Sequence, residues 1–143
     1  MKKILILITF LLCFFLIQAQ RFFYIETNNY TGKILREQLL KASQFVTQSP
    51  IGSDYIIKTE VGFNTGYSTL RLNMILEDSV TFKPIFQTNE ECSFKVMNVN
   101  SRLCLRMAIE TFIDKNVSQI ITCAKDNHFD SRMKSLKSGK DKT

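Results

Sequence analysis

The chain has 143 residues, of which 45% are hydrophobic and 22% charged, and these proportions exclude an intrinsically disordered protein. This length supports one domain rather than two, and two prolines and five glycines leave little room for a linker. The formal charge of +6 says little about partners, because residues 21–124 carry 11 basic and 10 acidic side chains, whereas residues 125–143 carry six and three.

The first 20 residues have the pattern of an export signal. Two lysines precede an apolar run over Ile4–Ile17, and a polar segment follows it. The run has 14 residues, fewer than the roughly 20 that span a bilayer. The pattern therefore predicts a cleavable signal peptide, cut after Ala19 or Gln20, with an uncleaved anchor as the alternative. Cys13 is not expected to carry lipid, because it lies inside the apolar run and follows Leu12 rather than a small residue.

The segment after the leader predicts a strand, a helix and a short second strand. Arg21–Glu26 is aromatic and apolar, as in strands, and Thr27–Thr31 is rich in residues that cap helices. Gly32–Ser43 has apolar residues at helical spacing. Phe45–Val46 has the composition of a short strand, and Ser49–Gly52 has that of a turn.

The central third of the chain carries the clearest pattern. Apolar and polar residues alternate over Ser53–Phe63 and again over Thr69–Glu77, as in strands with one buried face. Asn64–Gly66 supplies turn residues between these runs, which predicts an antiparallel hairpin. A second turn over Asp78–Lys83 leads to a third strand over Pro84–Glu91. The stretch is therefore predicted to be an antiparallel meander.

A long amphipathic helix is predicted over Arg102–Ala124, after which Lys125–Thr143 loses its apolar periodicity. The chain is accordingly divided into a signal peptide over residues 1–20, one domain over residues 21–124 and a basic, flexible tail over residues 125–143. The predicted fold is α+β, with an antiparallel sheet of about four strands, two helices on one face and a β-α-β-β-β-α order.

Three cysteines remain after cleavage, so at least one is unpaired within the chain. Cys104 and Cys123 lie 19 residues apart on the predicted helix, or about 28 Å along its axis. A disulfide needs Cα atoms within about 7 Å. Only Cys92 can therefore form a bond within the chain, with Cys104 the nearer candidate. The alternative is that all three are small buried apolar residues.

The sequence offers no recognisable catalytic constellation. The single histidine, His128, lies on the predicted tail between Asp126 and Asp130, a spacing that does not complete a metal site. Neighbouring carboxylates such as Glu90 and Glu91 face opposite sides of a strand. We predict no catalytic residue, cofactor or metal. Nucleic acid is not an expected partner, because the basic tail has only Phe129 for stacking on bases.

The central meander also resembles a group of bacterial envelope domains. Ser53–Thr59 is similar to their strand start, and Leu76–Ser79 followed by Pro84–Phe86 is similar to their hairpin. The group includes the curli secretion channel lipoprotein, the lipoprotein activators of penicillin-binding proteins and the N-terminal domain of the Tol–Pal periplasmic protein. This chain departs from them in its glycine-free turn at Val80–Lys83 and in lacking a lipidated cysteine. The resemblance covers about Phe22–Ala124 and implies a periplasmic, non-enzymatic interaction domain.

The sequence therefore predicts an exported protein, periplasmic or secreted, that binds an envelope protein or assembly and has no transmembrane span after cleavage. The ending of the leader and the frequent Ile, Lys, Asn and Phe favour a bacterial source of the Bacteroidetes type. Two contact surfaces are candidates: the polar face with Lys58, Glu60, Arg71 and Asn73, and an aromatic strand edge with Phe22 and Tyr24. The alternatives are a secreted hydrolase with an unrecognised site and attachment to an anionic surface through the basic tail.

Overall fold

The computed structural model describes residues 21–27, 29–63, 69–93 and 101–140, together with residues 6, 8 and 9 of the leader. The predicted signal peptide lies largely outside these residues, and the predicted turn at Asn64–Gly66 lies wholly outside them. The elements in chain order are β1 (Phe22–Ile25), α1 (Tyr30–Lys41), β2 (Phe45–Thr47), β3 (Tyr55–Phe63), β4 (Thr69–Asp78), β5 (Pro84–Ser93) and α2 (Ser101–Lys140). No described helix is both long and apolar enough to cross a bilayer.

The strands form one mixed sheet in the order β2-β1-β3-β4-β5. The α+β class, the two helices and the antiparallel β3–β4–β5 meander are confirmed. The prediction of about four antiparallel strands is wrong, because the sheet has five strands and β1 is parallel to both of its neighbours. Helix α1 carries the chain back along the sheet, so that β2 and β3 start at the same end as β1.

This topology also corrects the predicted aromatic edge. Strand β1 lies between β2 and β3, with Phe22 paired to Phe45 and Phe23 paired to Tyr55. Its backbone is therefore occupied on both sides, and the sheet edges are β2 and β5. Phe22 and Tyr24 cannot accept an added strand in the way the sequence suggested.

The core lies between one face of the sheet and the two helices. Alternate residues of β4, Leu70, Leu72, Met74 and Leu76, are at most 1% exposed. Leu35 and Leu39 of α1 and Phe112 and Ile113 of α2 belong to the same buried cluster. Because strand side chains alternate between faces and both α1 and α2 pack on this cluster, neither of these helices covers the other face of β3, β4 and β5.

Helix α1 begins against a close neighbour. The Asn29 side chain caps it by accepting a hydrogen bond of 3.1 Å from the backbone N–H of Gly32. A Cβ atom at Gly32 would lie 1.8 Å from the carbonyl oxygen of Thr27, closer than any real contact. Glycine at this position is therefore what lets the chain leaving β1 turn tightly into the helix.

Helix α2 is longer than the sequence predicted. It has 40 residues and is about 60 Å long, and it continues to Lys140 rather than ending at Ala124. The Tyr55 hydroxyl donates a buried hydrogen bond of 2.8 Å to the Ala124 carbonyl, which fixes the helix to β3 at the predicted end. The predicted end is wrong because apolar periodicity reports packing against the sheet and not the helix itself. Flexibility of residues 125–143 stays a prediction.

Candidate binding surface on the open face of the sheet

The face of β3, β4 and β5 on which neither α1 nor α2 packs, here called the open face, carries a recess. A cavity of about 760 Å³ lies against it, here called the open-face recess. It is lined by residues of the three strands and the cap of α1, which include Asn29, Val61 and Leu72 together with a polar set, Glu60, Arg71, Asn73, Gln87, Asn89 and Glu91. The alternation that buries one side of these strands places this polar set on the other.

Ion pairs between strands order the open face. Arg71 and Glu91 are opposite each other in the β4–β5 register, and Arg71 Nε lies 2.6 Å from Glu91 Oε1. Lys58 Nζ lies 2.9 Å from Glu77 Oε2 and 3.7 Å from Glu26 Oε2. The hydrogen bond to Glu77 raises the pKa of the Lys58 ammonium. Exposed pairs of this kind contribute only about 0–1 kcal/mol, so they orient side chains rather than hold the fold.

One polar atom in the recess lacks a partner. Within the part of the chain that the structure describes, Asn73 Oδ1 is buried and accepts no hydrogen bond. A buried amide oxygen without a donor costs free energy, and such atoms are rare in folded proteins. Asn73 is on the central strand of the meander and lines the recess, and an N–H or O–H donor reaches its buried oxygen only where the neighbouring side chains move aside.

The structure gathers some of the predicted surface residues and separates others. Glu60, Arg71 and Asn73 line the recess, and Lys58 lies beside them, two residues before Glu60 on β3. Phe22 and Tyr24 lie elsewhere on the sheet, and the Phe22 ring packs on Phe45 with ring centroids 5.5 Å apart. Their role in binding stays a prediction, without the strand-edge argument.

Strand β5 contributes residues that the sequence analysis missed. Gln87, Asn89 and Glu91 line the recess. The sequence does show these residues alternating with Phe86 and Thr88. This alternation is a weak signal, because polar residues occupy both faces of β5. Glu90 faces the helices, where it pairs with Lys115 of α2.

A second, apolar cavity of about 460 Å³ lies where both helices begin. It is lined by Asn29, Tyr30, Thr31, Val61, Arg102, Leu105, Arg106 and Ile109 and is here called the helix-start groove. Beside it, Glu110 Oε1 accepts hydrogen bonds from Arg106 Nε at 2.8 Å and from the Tyr30 hydroxyl at 3.2 Å. The bond from Arg106 lowers the pKa of Glu110, the direction opposite to the raised pKa that a carboxyl general acid needs.

The cysteines and carboxylates are the groups that bear on the metal and disulfide predictions. No group of three or more His, Cys, Asp or Glu among the described residues is placed to hold a metal ion. Cys92, Cys104 and Cys123 are free thiols in the structure, with Cys92 half-buried on β5 and Cys104 exposed near the start of α2. The Cys92–Cys104 disulfide stays a prediction for an oxidising compartment.

Comparison with known proteins gives the fold and no family. No family model matches the chain, and no curated protein matches it. A PelC dodecamer from Paraburkholderia phytofirmans matches with a TM-score of 0.50 and 14% identity, over 71% of this chain and 89% of that one. At this identity the match shows a shared fold and nothing further.

Two further solved structures are similar at lower scores. A minor lipoprotein from Acinetobacter baumannii has a TM-score of 0.47 and 13% identity, over 71% of this chain and 93% of that one. The LpoB C-terminal domain from Salmonella enterica has a TM-score of 0.41 and 12% identity, over 53% of this chain and 84% of that one. The first of these two is a bacterial lipoprotein, and no particular relative of this chain is shown.

Proposed function

We propose that this chain is an exported, non-enzymatic module of the bacterial cell envelope that binds a partner protein through the open-face recess. The observation that carries the proposal is the recess itself, with its unpartnered Asn73 oxygen between charged side chains of both signs. A partner that donates an N–H group to this oxygen would satisfy it and displace water from the recess.

The charges of the recess suit a polypeptide partner. Arg71 lies close to Glu91, and Glu60 adds a second carboxylate. Nucleic acid binding depends on a surface of uniformly positive charge that neutralises phosphates, which this recess does not provide. A protein segment with polar side chains of both signs is complementary to such a surface.

Export and the envelope location rest on three supporting observations. The leader has the charge and length pattern of a signal peptide. The meander resembles periplasmic interaction domains, and lipoproteins of bacteria are among the proteins of similar structure.

The hydrolase alternative requires an acid or base with a tuned pKa at a cavity. Glu110, the carboxyl with a shifted pKa beside the helix-start groove, has a lowered pKa.

The test is crosslinked co-purification from the envelope of cells that export a tagged copy. Arg71→Glu reverses a charge in the recess, and Arg102→Glu makes the same change on an exposed residue of the helix-start groove. We expect one dominant partner, recovered about tenfold less with Arg71→Glu, as for the loss of about 1.4 kcal/mol. Recovery with Arg102→Glu should match the unmodified chain.

Other outcomes identify a different site or function. If recovery of the partner is lost with Arg102→Glu and not with Arg71→Glu, the binding site is the helix-start groove. Recovery of no partner from the envelope would contradict the binding proposal. Because the PelC structure is a dodecamer, an untagged copy of different mass is co-expressed, so that self-assembly is scored separately from binding of another protein.

A further inference from the structure

Three large apolar side chains project from two turns at one end of the sheet. Ile51 is 89% exposed, Val80 is 83% exposed and Phe82 is 64% exposed. We call these three residues the apolar tips. They lie at the end of the sheet where β3 begins and β4 ends, which we call the tip end. Hydrogen bonds join the two turns, because the Ser79 N–H donates to the Asp54 carbonyl at 3.0 Å and its hydroxyl to the Ser53 carbonyl at 2.5 Å.

The turn that carries Val80 and Phe82 is held firmly. The Asp78 carboxylate accepts hydrogen bonds from the backbone N–H groups of Val80 at 3.0 Å and Thr81 at 2.8 Å. Burial opposes ionisation of Asp78, but these bonds outweigh it and lower its pKa. Phe82 has a φ of +53°, in the left-handed region that a bulky residue rarely adopts. The fold therefore keeps an exposed phenylalanine in a strained backbone conformation.

Basic charge extends from the same end. Helix α2 reaches the tip end at Ala124, whose carbonyl is bonded to Tyr55, the first residue of β3. The side chain of Asn127 contributes to the lowered pKa of Asp78 by hydrogen bonding, so the helix is next to the turn at this point. Residues 125–140 then carry five basic and two acidic residues and continue the helix by about four turns.

We propose that the tip end docks on the surface of an anionic phospholipid bilayer. The apolar tips enter the headgroup region, and the positive net charge of residues 125–140 favours an anionic surface. Apolar side chains combined with basic residues are the arrangement of interfacial membrane binding. A bilayer is the proposed occupant because the apolar tips lie at the end of the sheet from which the positively charged extension of α2 continues, and interfacial binding combines these two features.

This orientation leaves the proposed partner site accessible. The recess is lined by Glu60 and Gly62, which lie toward the end of β3 that is remote from the tip end. Docking through the apolar tips would therefore hold the recess away from the lipid. The two proposals rest on different residues, and either can fail without the other.

A single tryptophan gives the first test. The chain has no tryptophan, so Phe82→Trp places one reporter at the tip end. Leu103→Trp places it at an exposed position of α2 near the opposite end, where Leu103 is 53% exposed. The processed chain, recovered after export, is mixed with vesicles of phosphatidylcholine alone or with added phosphatidylglycerol. We expect a blue shift and quenching by brominated acyl chains for Phe82→Trp with the anionic vesicles, and neither effect for Leu103→Trp.

Co-sedimentation with the same vesicles gives the second test. Replacing the three apolar tips by serine should weaken binding by about tenfold or more, and added salt should weaken binding of the unmodified chain. The control replaces Leu103 and Met107, also exposed, by serine and should bind unchanged. Equal quenching at both tryptophans, or unchanged binding of the serine variant, would overturn the proposal. Capture of a protein through the apolar tips, without vesicle binding, would overturn it in favour of protein docking.

Discussion

The two faces of β3, β4 and β5 are built from alternate residues of the same strands and serve different purposes. On the helix-covered face of β4, Leu72 and Met74 are at most 1% exposed and pack in the core. On the open face, Arg71 and Asn73 line a polar recess. Burial of apolar area contributes far more to stability than exposed ion pairs do. We therefore expect stability to depend on one face and binding on the other, so that mutations can separate them.

The largest loss of stability is expected from a substitution at Gly32, where α1 begins. Gly32→Ala would place a methyl group 1.8 Å from the Thr27 carbonyl oxygen, which is backbone and cannot move without displacing the chain between β1 and α1. We expect a loss of roughly 3–5 kcal/mol in the free energy of unfolding, measured by urea denaturation followed by circular dichroism.

Gly62 on the open face is the matched control, since nothing lies within 4 Å of a Cβ atom added there. Gly62→Ala should change stability by no more than about 0.5–1 kcal/mol, in the stabilising direction because alanine restricts the unfolded chain. Equal losses for the two variants would contradict the assignment of stability to the helix-covered face.

A smaller effect is expected for the hydroxyl of Tyr55, which is 2% exposed. Tyr55→Phe leaves the buried Ala124 carbonyl without its donor and should cost about 1–3 kcal/mol. Tyr24→Phe removes a hydroxyl from a half-buried residue of β1 and should cost much less. A Tyr55→Phe variant as stable as the unmodified chain would show that water replaces the donor and that α2 is not fixed there.

The hydrogen bond between Tyr55 and Ala124 should also make stability depend on pH. Burial raises the pKa of the Tyr55 phenol above its usual value of 10.0. The contribution of the Tyr55 hydroxyl to the free energy of unfolding is therefore complete below pH 10. It is lost as the pH rises through the raised pKa of the folded state. The stability difference between the unmodified chain and Tyr55→Phe should shrink in that range, measured by denaturation at neutral and alkaline pH.

The smallest effect on stability is expected at the open face. Arg71→Gln removes the pair with Glu91, in which the side chains are 70% and 59% exposed. The unfolding free energy should fall by no more than about 0.5 kcal/mol, while recovery of the partner falls with it. A loss of more than about 2 kcal/mol would mean that the open face holds the fold together, and the separation of the two faces would be wrong.

The parts of the fold that the sequence predicted are those with local patterns. Period-two alternation depends on neighbouring residues alone, so it located β3 and β4 and placed Glu60, Arg71 and Asn73 on one face. The parallel pairing of Phe23 with Tyr55 depends on residues far apart in sequence and left no local signal. The recess residues of β5 were missed for a different reason, because both of its faces are polar. The extension of α2 was missed because helical periodicity is visible only where a helix packs.

The position of β1 has a consequence for the order of folding. This strand follows the predicted leader directly, yet it lies inside the finished sheet, paired through Phe22 with Phe45 and through Phe23 with Tyr55. Strands β3, β4 and β5 pair with their sequence neighbours and can form first, since nearby contacts close faster than distant ones. We expect β1 to be inserted last. In a precursor with the predicted leader, late insertion of β1 would leave the sheet incomplete, which would suit the export that we propose.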